Sequence, residues 1–298
     1  MRLTIISGLS GSGKSVALNM LEDLAFYCID NVPATLLDSL VSKIIATQDS
    51  LYNNLAVGLD ARNRITDLES LPDLIRSLHR QGVYCEIIFL HADTDILLKR
   101  YRETRRIHPL RSEAVDLRNA IELEQKLLGP VTYSADLVID TTQTSISELR
   151  KLIRNRVVDH ERPGLSILVE SFGYKHGLPV DADFVFDLRC LPNPYWDMAL
   201  RPLTGKNQKV IEYLDSYDSV QKMYTDILGF LQRRIPEYAE SNRNYLTIGI
   251  GCTGGQHRSV YMVDKIARNL SKHNNHVLAR HSEVLISNNA VADNPTTT

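Results

Sequence analysis

An α/β fold, with a doubly wound parallel sheet in the first half of the chain and a smaller α/β domain in the second, follows from three features of the sequence. Short apolar runs alternate with segments of helical period; the runs are apolar throughout; and the alternation breaks at VDHERPG (158–164) before restarting. Strands apolar on both faces and separated by amphipathic helices are what a parallel sheet covered on both sides requires. At 298 residues the chain is also longer than one ordinary core fills. The expected organisation is therefore a domain over 1–158, a second over 164–281, and a tail over 282–298.

In the first half, strand and helix segments pair as LTIIS with SVALNMLEDL, FYCIDN with ATLLDSLVSKII, LAVGLD with LPDLIRSLHR, CEIIFLHA with TDILLKRY, and LVIDTT with SISELRKLIRNRVV. The second half restarts with LSILVESFGY and DADFVFDLRC. A proline-rich loop, LPNPYWDMALRPLTGKN, then leads into a long helical segment, the strand YLTIGIG, and a helix from Arg258. Long ordered loops tend to carry function. ISNNAVADNPTTT has no periodicity and reads as a disordered tail.

Composition places the chain among soluble globular proteins, with 43% hydrophobic and 23% charged residues. No apolar run approaches the roughly 18 residues that span a bilayer, and the N-terminus runs directly into a motif, so a cytoplasmic location is expected. Cys28, Cys85, Cys190 and Cys252 have neither zinc-site spacing nor the density of a disulfide scaffold; the first two read as buried strand residues. A net charge of -2 says nothing by itself about nucleic acid, because binding depends on local charge.

The first strand opens onto GLSGSGKS, which fits G-x-x-x-x-G-K-[ST] without mismatch: Gly8, Leu9, Ser10, Gly11, Ser12, Gly13, Lys14 and Ser15. In such a loop the glycines let successive backbone N–H groups close on phosphate, Lys14 neutralises its terminal oxygens, and the Ser15 hydroxyl is placed for Mg²⁺. Asp30 and Asp60 each end a strand-like run, where a carboxylate serves either the water shell of Mg²⁺ or as an N-cap. Downstream, KRYRETRRIHPLR holds Lys99, Arg100, Arg102, Arg105, Arg106 and Arg111 against one acid, Glu103. It reads equally as a lid closing on phosphates or as a solvated basic face.

A second glycine-rich turn, GCTGGQHRSV, again lies between a strand and a helix. Cys252 and Arg258 are separated by five residues, the spacing of cysteine-dependent phosphatases. The same geometry also binds phosphate without cleaving it: Gly254 and Gly255 expose N–H groups, and His257 and Arg258 add donors at a helix N-terminus. Glycine content and the lack of an evident general acid favour binding. Along the following helix, Val260, Val263, Ala267 and Leu270 form an apolar stripe, while Tyr261, Lys265, Arg268 and Lys272 recur on another face, either as a track for an RNA backbone or as ordinary solvated surface.

GLSGSGKS, FYCIDNVP, LDARN, ETRRIHPL, ESFGYKHGLPVDADFVFDLRCLPNPYW, RPLTG and IGCTGGQHRSV together resemble the RapZ (YvcJ) family of P-loop nucleotide-binding proteins, over about residues 1–281. The resemblance implies a kinase-like N-terminal domain binding ATP or GTP with Mg²⁺ and hydrolysing it weakly. It also implies a C-terminal domain that binds regulatory small RNA and an amino-sugar phosphate, an endoribonuclease as partner, and a homo-oligomer. By the same resemblance, Asp60, Ala61, Arg62 and Asn63 belong to a guanine-nucleotide segment. Lys175, His176, Arg189, Thr253, Gly254, Gly255, His257 and Arg258 would form the anion pocket. Enterobacterial RNA-binding members end in a basic run, whereas here no Lys or Arg follows Arg280, leaving Lys265, Arg268, Lys272 and Arg280 as the RNA-contacting set. Losing cations weakens RNA affinity and its salt dependence. Two other functions stay open: a small-molecule kinase with its acceptor near Asp30 or Asp60, and a phosphatase using Cys252.

Overall fold

A computed structural model describes the chain except for residues 64, 105–106, 112–114, 159–164, 242 and 285–298, and except for the side chains of 65 and 158. The chain divides into two compact units, Met1–Glu161 and Arg162–Thr298. The break expected at 158–164 falls almost entirely outside the described residues.

The first unit has a five-stranded sheet in the order β2-β3-β1-β4-β5, with all pairs parallel. Its strands are β1 (Arg2–Gly8), β2 (Tyr27–Ile29), β3 (Asn54–Gly58), β4 (Tyr84–His91) and β5 (Leu137–Asp140). β1 lies centrally, with Ile5 beside Val57 of β3 and Ile87 of β4, so its apolar run is buried on both faces. Edge strand β2 is only three residues long, and Cys28 on it is half-buried, unlike fully buried Cys85.

The helices are α1 (Lys14–Glu22), α2 (Leu37–Thr47), α3 (Ile65–Glu69), α4 (Leu71–Arg80), α5 (Thr94–Thr104), α6 (Leu117–Leu127), α7 (Gly129–Tyr133) and α8 (Ile146–Ile153). α6 starts where the Asp116 carboxylate accepts from Asn119 N (2.9 Å). α8 starts on a reciprocal Ser145/Glu148 capping box. α3, α6 and α7 are additions to the five strand–helix pairs read from the sequence.

The second unit has a four-stranded sheet in the order β7-β8-β6-β9, again wholly parallel. Its strands are β6 (Ser166–Gly173), β7 (Phe184–Asp187), β8 (Tyr245–Cys252) and β9 (Val277–His281); its helices are α9 (Gln208–Asp215), α10 (Asp218–Glu240) and α11 (Arg258–Leu270). The stripe Val260, Val263, Ala267 and Leu270 is buried as expected, and α11 lies against β6, β8 and β9. Two expectations need correction. β9 was not read as a strand because Arg280 interrupts its short apolar run. The tail expected from 282 begins instead with a helical turn over 282–284, on which Glu283 is buried. No helix among the described residues is long and apolar enough to cross a membrane.

Candidate nucleotide and anion sites

The first loop joins the carboxyl end of β1 to α1. Gly13 caps α1 in the left-handed region (φ 110°), where an added Cβ would also meet Leu149 Cδ2 at 2.7 Å. Lys14 Nζ donates to Gly8 O (2.6 Å), folding its side chain back over the loop, while Ser15 on the first turn of α1 is exposed. Burial lowers the Lys14 pKa, and the carboxylates of Glu124, Asp60 and Asp30 oppose that shift.

Four residues that sequence reasoning did not single out as site residues, or left ambiguous, fix this loop from outside, directly or through one another. Glu124, wholly buried on α6, accepts from Ser10 N (2.8 Å) and Ser10 Oγ (2.6 Å). Leu110 N–H donates to His108 Nδ1 (3.1 Å), which leaves the proton on Nε2 for donation to Glu124 (3.1 Å). Burial alone would raise the Glu124 pKa, but His108, Ser10 and the Lys14 charge hold it below the ordinary value. Arg100 donates to Gly11 O (3.1 Å) and to Thr141, whose hydroxyl donates to Ser12 O (2.9 Å). Of the six basic residues read as a lid or a solvated face, Arg100 thus props the loop. Lys99 pairs with Glu103 at the surface, Arg102 and Arg111 are exposed, and Arg105 and Arg106 lie outside the described residues.

The segment Asp60 to Asn63 follows β3 on the same sheet edge. Asp60 is buried and accepts from Arg62 N (3.0 Å) and Arg62 Nε (2.8 Å); Arg62 also reaches Asn31. Burial would raise the Asp60 pKa, but the Arg62 hydrogen bonds keep it low. Asn63 accepts from Ala34 N (2.6 Å) and donates to Asp60 O (3.1 Å), and Ala61 is buried. These side chains tie the ends of β2 and β3 together beside Lys14. Asp30 is exposed and accepts from Asn31 N (2.8 Å).

In the second unit, the sheet's carboxyl edge collects all eight residues expected around the second loop. The turn after β6 carries Lys175 and His176, and Lys175 N donates to Thr253 O (3.2 Å). Arg189, after β7, stacks on Tyr174 at 3.8 Å and pairs with Asp187 through Nη2 (2.7 Å). Arg258 Nη1 donates to the carbonyls of Arg189 (3.0 Å) and Leu191 (3.0 Å), and Nη2 to Thr253 Oγ1 (3.3 Å). Arg258 is buried, and its Nε has no partner among the described residues; neither does His257 Nε2. Burial lowers the His257 pKa, against opposition from the carbonyls of Leu200, Leu203 and Arg201. Gly254 and Gly255 lie beside Gly173 at the end of β6.

Cys252, the phosphatase candidate, is buried with its Sγ 3.2 Å from Ser259 Oγ, and Arg258 is spent on carbonyls rather than held open as a fork. That arrangement suits a bound anion better than attack on phosphorus. The track read along α11 is also broken. Tyr261 is buried and donates to Asp215 (2.5 Å), while Lys265 Nζ donates to Asp215 (2.7 Å) and Tyr261 Oη (2.7 Å). Arg280 lies on β9, 3.7 Å from Glu170, leaving Arg268 and Lys272 as the exposed cations of the four.

Residues 1–161 match the family described as the RapZ-like N-terminal domain, and residues 165–285 match the RapZ C-terminal domain. A nucleotide-binding protein of Methylococcus capsulatus is 49% identical over 284 residues, spanning 95% of this chain and 96% of its own. One from Pseudomonas putida is 49% identical over 95% of this chain and all of its own. Among solved structures, shikimate kinase from Bacteroides thetaiotaomicron aligns with 51% of this chain and 96% of its own, at 14% identity and a TM-score of 0.34. With both halves matched in order and relatives aligned over nearly their full length, the chain belongs to the RapZ family.

Proposed function

We propose that the chain binds a nucleoside triphosphate with Mg²⁺ at the first loop, hydrolyses it slowly, and binds a phosphate monoester, of which an amino-sugar phosphate is the best candidate, at the second. The observation carrying this reading is a pair of glycine-rich turns, each at the carboxyl edge of its own parallel sheet and each followed by a helix. At the first, the backbone from Gly11 to Ser15 and Lys14 would hold the phosphates, and Ser15 would reach Mg²⁺. The metal's chemistry would be neutralisation of phosphate charge.

Slow hydrolysis is supported by the engagement of two of the three carboxylates around Lys14, the third, Asp30, being exposed and accepting from the adjacent Asn31 N. Glu124 is sealed under Ser10 and His108, and Asp60 is paired with Arg62, so neither is free to orient an attacking water. At the second loop, the backbone N–H groups of Gly254 and Gly255 at the N-terminus of α11, with the exposed Lys175 on the neighbouring turn, are donors suited to a phosphate. The remaining parts of the reading are adaptor action with an endoribonuclease, binding of small RNA, and ATP or GTP preference through Asp60 to Asn63. They draw their support from family membership, with Arg268 and Lys272 as the exposed cations on the α11 side.

Titration of ATP and GTP against wild type and Lys14→Ala tests the first site. We expect micromolar binding that the substitution removes and turnover well below one per second. Turnover stimulated strongly by a sugar or nucleoside would instead make the protein a kinase. RNA binding measured at two salt concentrations, with Arg268→Ala/Lys272→Ala for comparison, tests the adaptor reading; equal binding by both proteins would move the RNA surface elsewhere.

A further inference from the structure

The second loop has a carboxylate built against it. His281 and Glu283 lie two residues apart at the end of β9 and both are buried. His281 joins Ser171 Oγ (3.0 Å) to Asp264 (2.9 Å), the order of a Ser-His-Asp relay. Ser171, however, sits within β6 with no exposed surface, so the trio ties strand to helix and reaches no substrate.

Glu283 is different. Its Oε1 accepts from Gly173 N (3.0 Å), while its Oε2 fills the space that a side chain on Gly255 would need, since an added Cβ there would lie 2.3 Å from it. Gly255 holds φ 70°, so the loop can pass over the carboxyl only as glycine. Burial raises the Glu283 pKa; the N–H groups of Gly173 and of Glu283 itself oppose this, as do the charges of Lys175 and Arg280. Other titratable or charged groups on the surrounding elements are Glu170 within β6, which pairs with Arg280, His176 after β6, His257 and Arg258 at the start of α11, Asp264, Lys265 and Arg268 within it, and His281.

We propose that Glu283 sets the affinity and the pH dependence of the second loop, its carboxyl taking up a proton from solvent when a phosphate or sulfate dianion occupies the backbone donors above it. The inference rests on the anion-site reading of that loop. Two like charges on opposite sides of Gly255 repel, and little water intervenes to screen them. Binding therefore converts carboxylate plus a solvent proton into the neutral acid, and no other bond changes.

The test uses the full chain and sodium sulfate, which stays dianionic from pH 5 to 8, so every proton exchanged belongs to the protein. Isothermal titration in two buffers of different ionisation enthalpy reads proton uptake. For wild type we expect net uptake, with affinity rising as pH falls. For Glu283→Gln we expect uptake reduced to the histidine contribution and binding about tenfold tighter at pH 7.5. Equal affinity and equal uptake in both proteins would overturn the role of Glu283 while leaving the anion site standing. Absence of sulfate binding in both would overturn the anion site and this inference with it. If the variant fails to fold, infrared difference spectra of wild type decide: a protonated-carboxyl band that grows on adding sulfate supports the proposal, and none contradicts it.

Discussion

Both glycine loops rest on a buried carboxylate, and the two carboxylates are compensated differently. Glu124 under the first loop accepts hydrogen bonds from Ser10 N, Ser10 Oγ and His108, with the Lys14 charge nearby, and its pKa is held down. Glu283 under the second is met by Gly173 N and, at longer range, by Lys175 and Arg280, and its pKa is pushed up by burial. The lesson is that an acid beneath an anion loop can be a fixed scaffold or a titrating counter-charge, depending on whether its donors repay its desolvation.

The largest expected effect comes from Lys14→Ala. Losing a charged donor to the terminal phosphates should cost about 2–3 kcal/mol, roughly a hundredfold in nucleotide affinity, read by fluorescent-nucleotide titration. Sulfate affinity at the second loop should not change. Next, Glu124→Ala strips Ser10 and His108 of a buried acceptor and should destabilise the first unit by about 2 kcal/mol in urea unfolding. A loss below about 1 kcal/mol would mean that the loop does not depend on its carboxylate.

The second loop offers a paired test. Gly255→Ala places a Cβ onto Glu283 at a left-handed backbone position and should cost about 1–3 kcal/mol along with sulfate binding. Gly254→Ala meets nothing within 4 Å and should change stability by less than about 0.5 kcal/mol. Equal effects would break the asymmetry on which the Glu283 argument depends.

The pH dependence separates the carboxylates by sign. With its folded pKa depressed, Glu124 contributes stability that is present above the unfolded value of about 4.3 and lost as pH falls through the folded value. Glu124→Gln should therefore destabilise at pH 7 and approach wild type in acid. Glu283, with its folded pKa raised, carries a penalty absent below about pH 4.3 and complete above its folded value. Glu283→Gln should thus raise the melting temperature at pH 7 to 8 and leave it unchanged near pH 4. The smallest effect is expected for Cys252→Ser, which keeps the contact with Ser259 and should leave sulfate affinity within about twofold.

What the sequence made legible follows from local pattern. GLSGSGKS needed only its own spacing and flanks, and the parallel sheets showed as runs apolar on both faces. Glu124 was missed although a signal existed: Ala120, Ile121 and Glu124 share the buried side of α6, putting an acid on an apolar stripe. His108 stood inside the quoted ETRRIHPL without a role, because its partner lies 16 residues away. Glu283 had no local signal, since its burial depends on β9 pairing with β6 across more than a hundred residues. The α11 track failed for the reverse reason: the spacing of Tyr261 and Lys265 was real, but Asp215 and Gln221, from neighbouring segments of the fold, take up their polar ends.

The most direct test of the central claim, that the chain carries two separate anion sites, is a crossed titration of nucleotide and sulfate against wild type, Lys14→Ala and Gly255→Ala, with folding checked by thermal melts. We expect Lys14→Ala to lose nucleotide and keep sulfate, and Gly255→Ala to lose sulfate and keep nucleotide. A single substitution that removes both ligands, or sulfate binding untouched by Gly255→Ala, would contradict it.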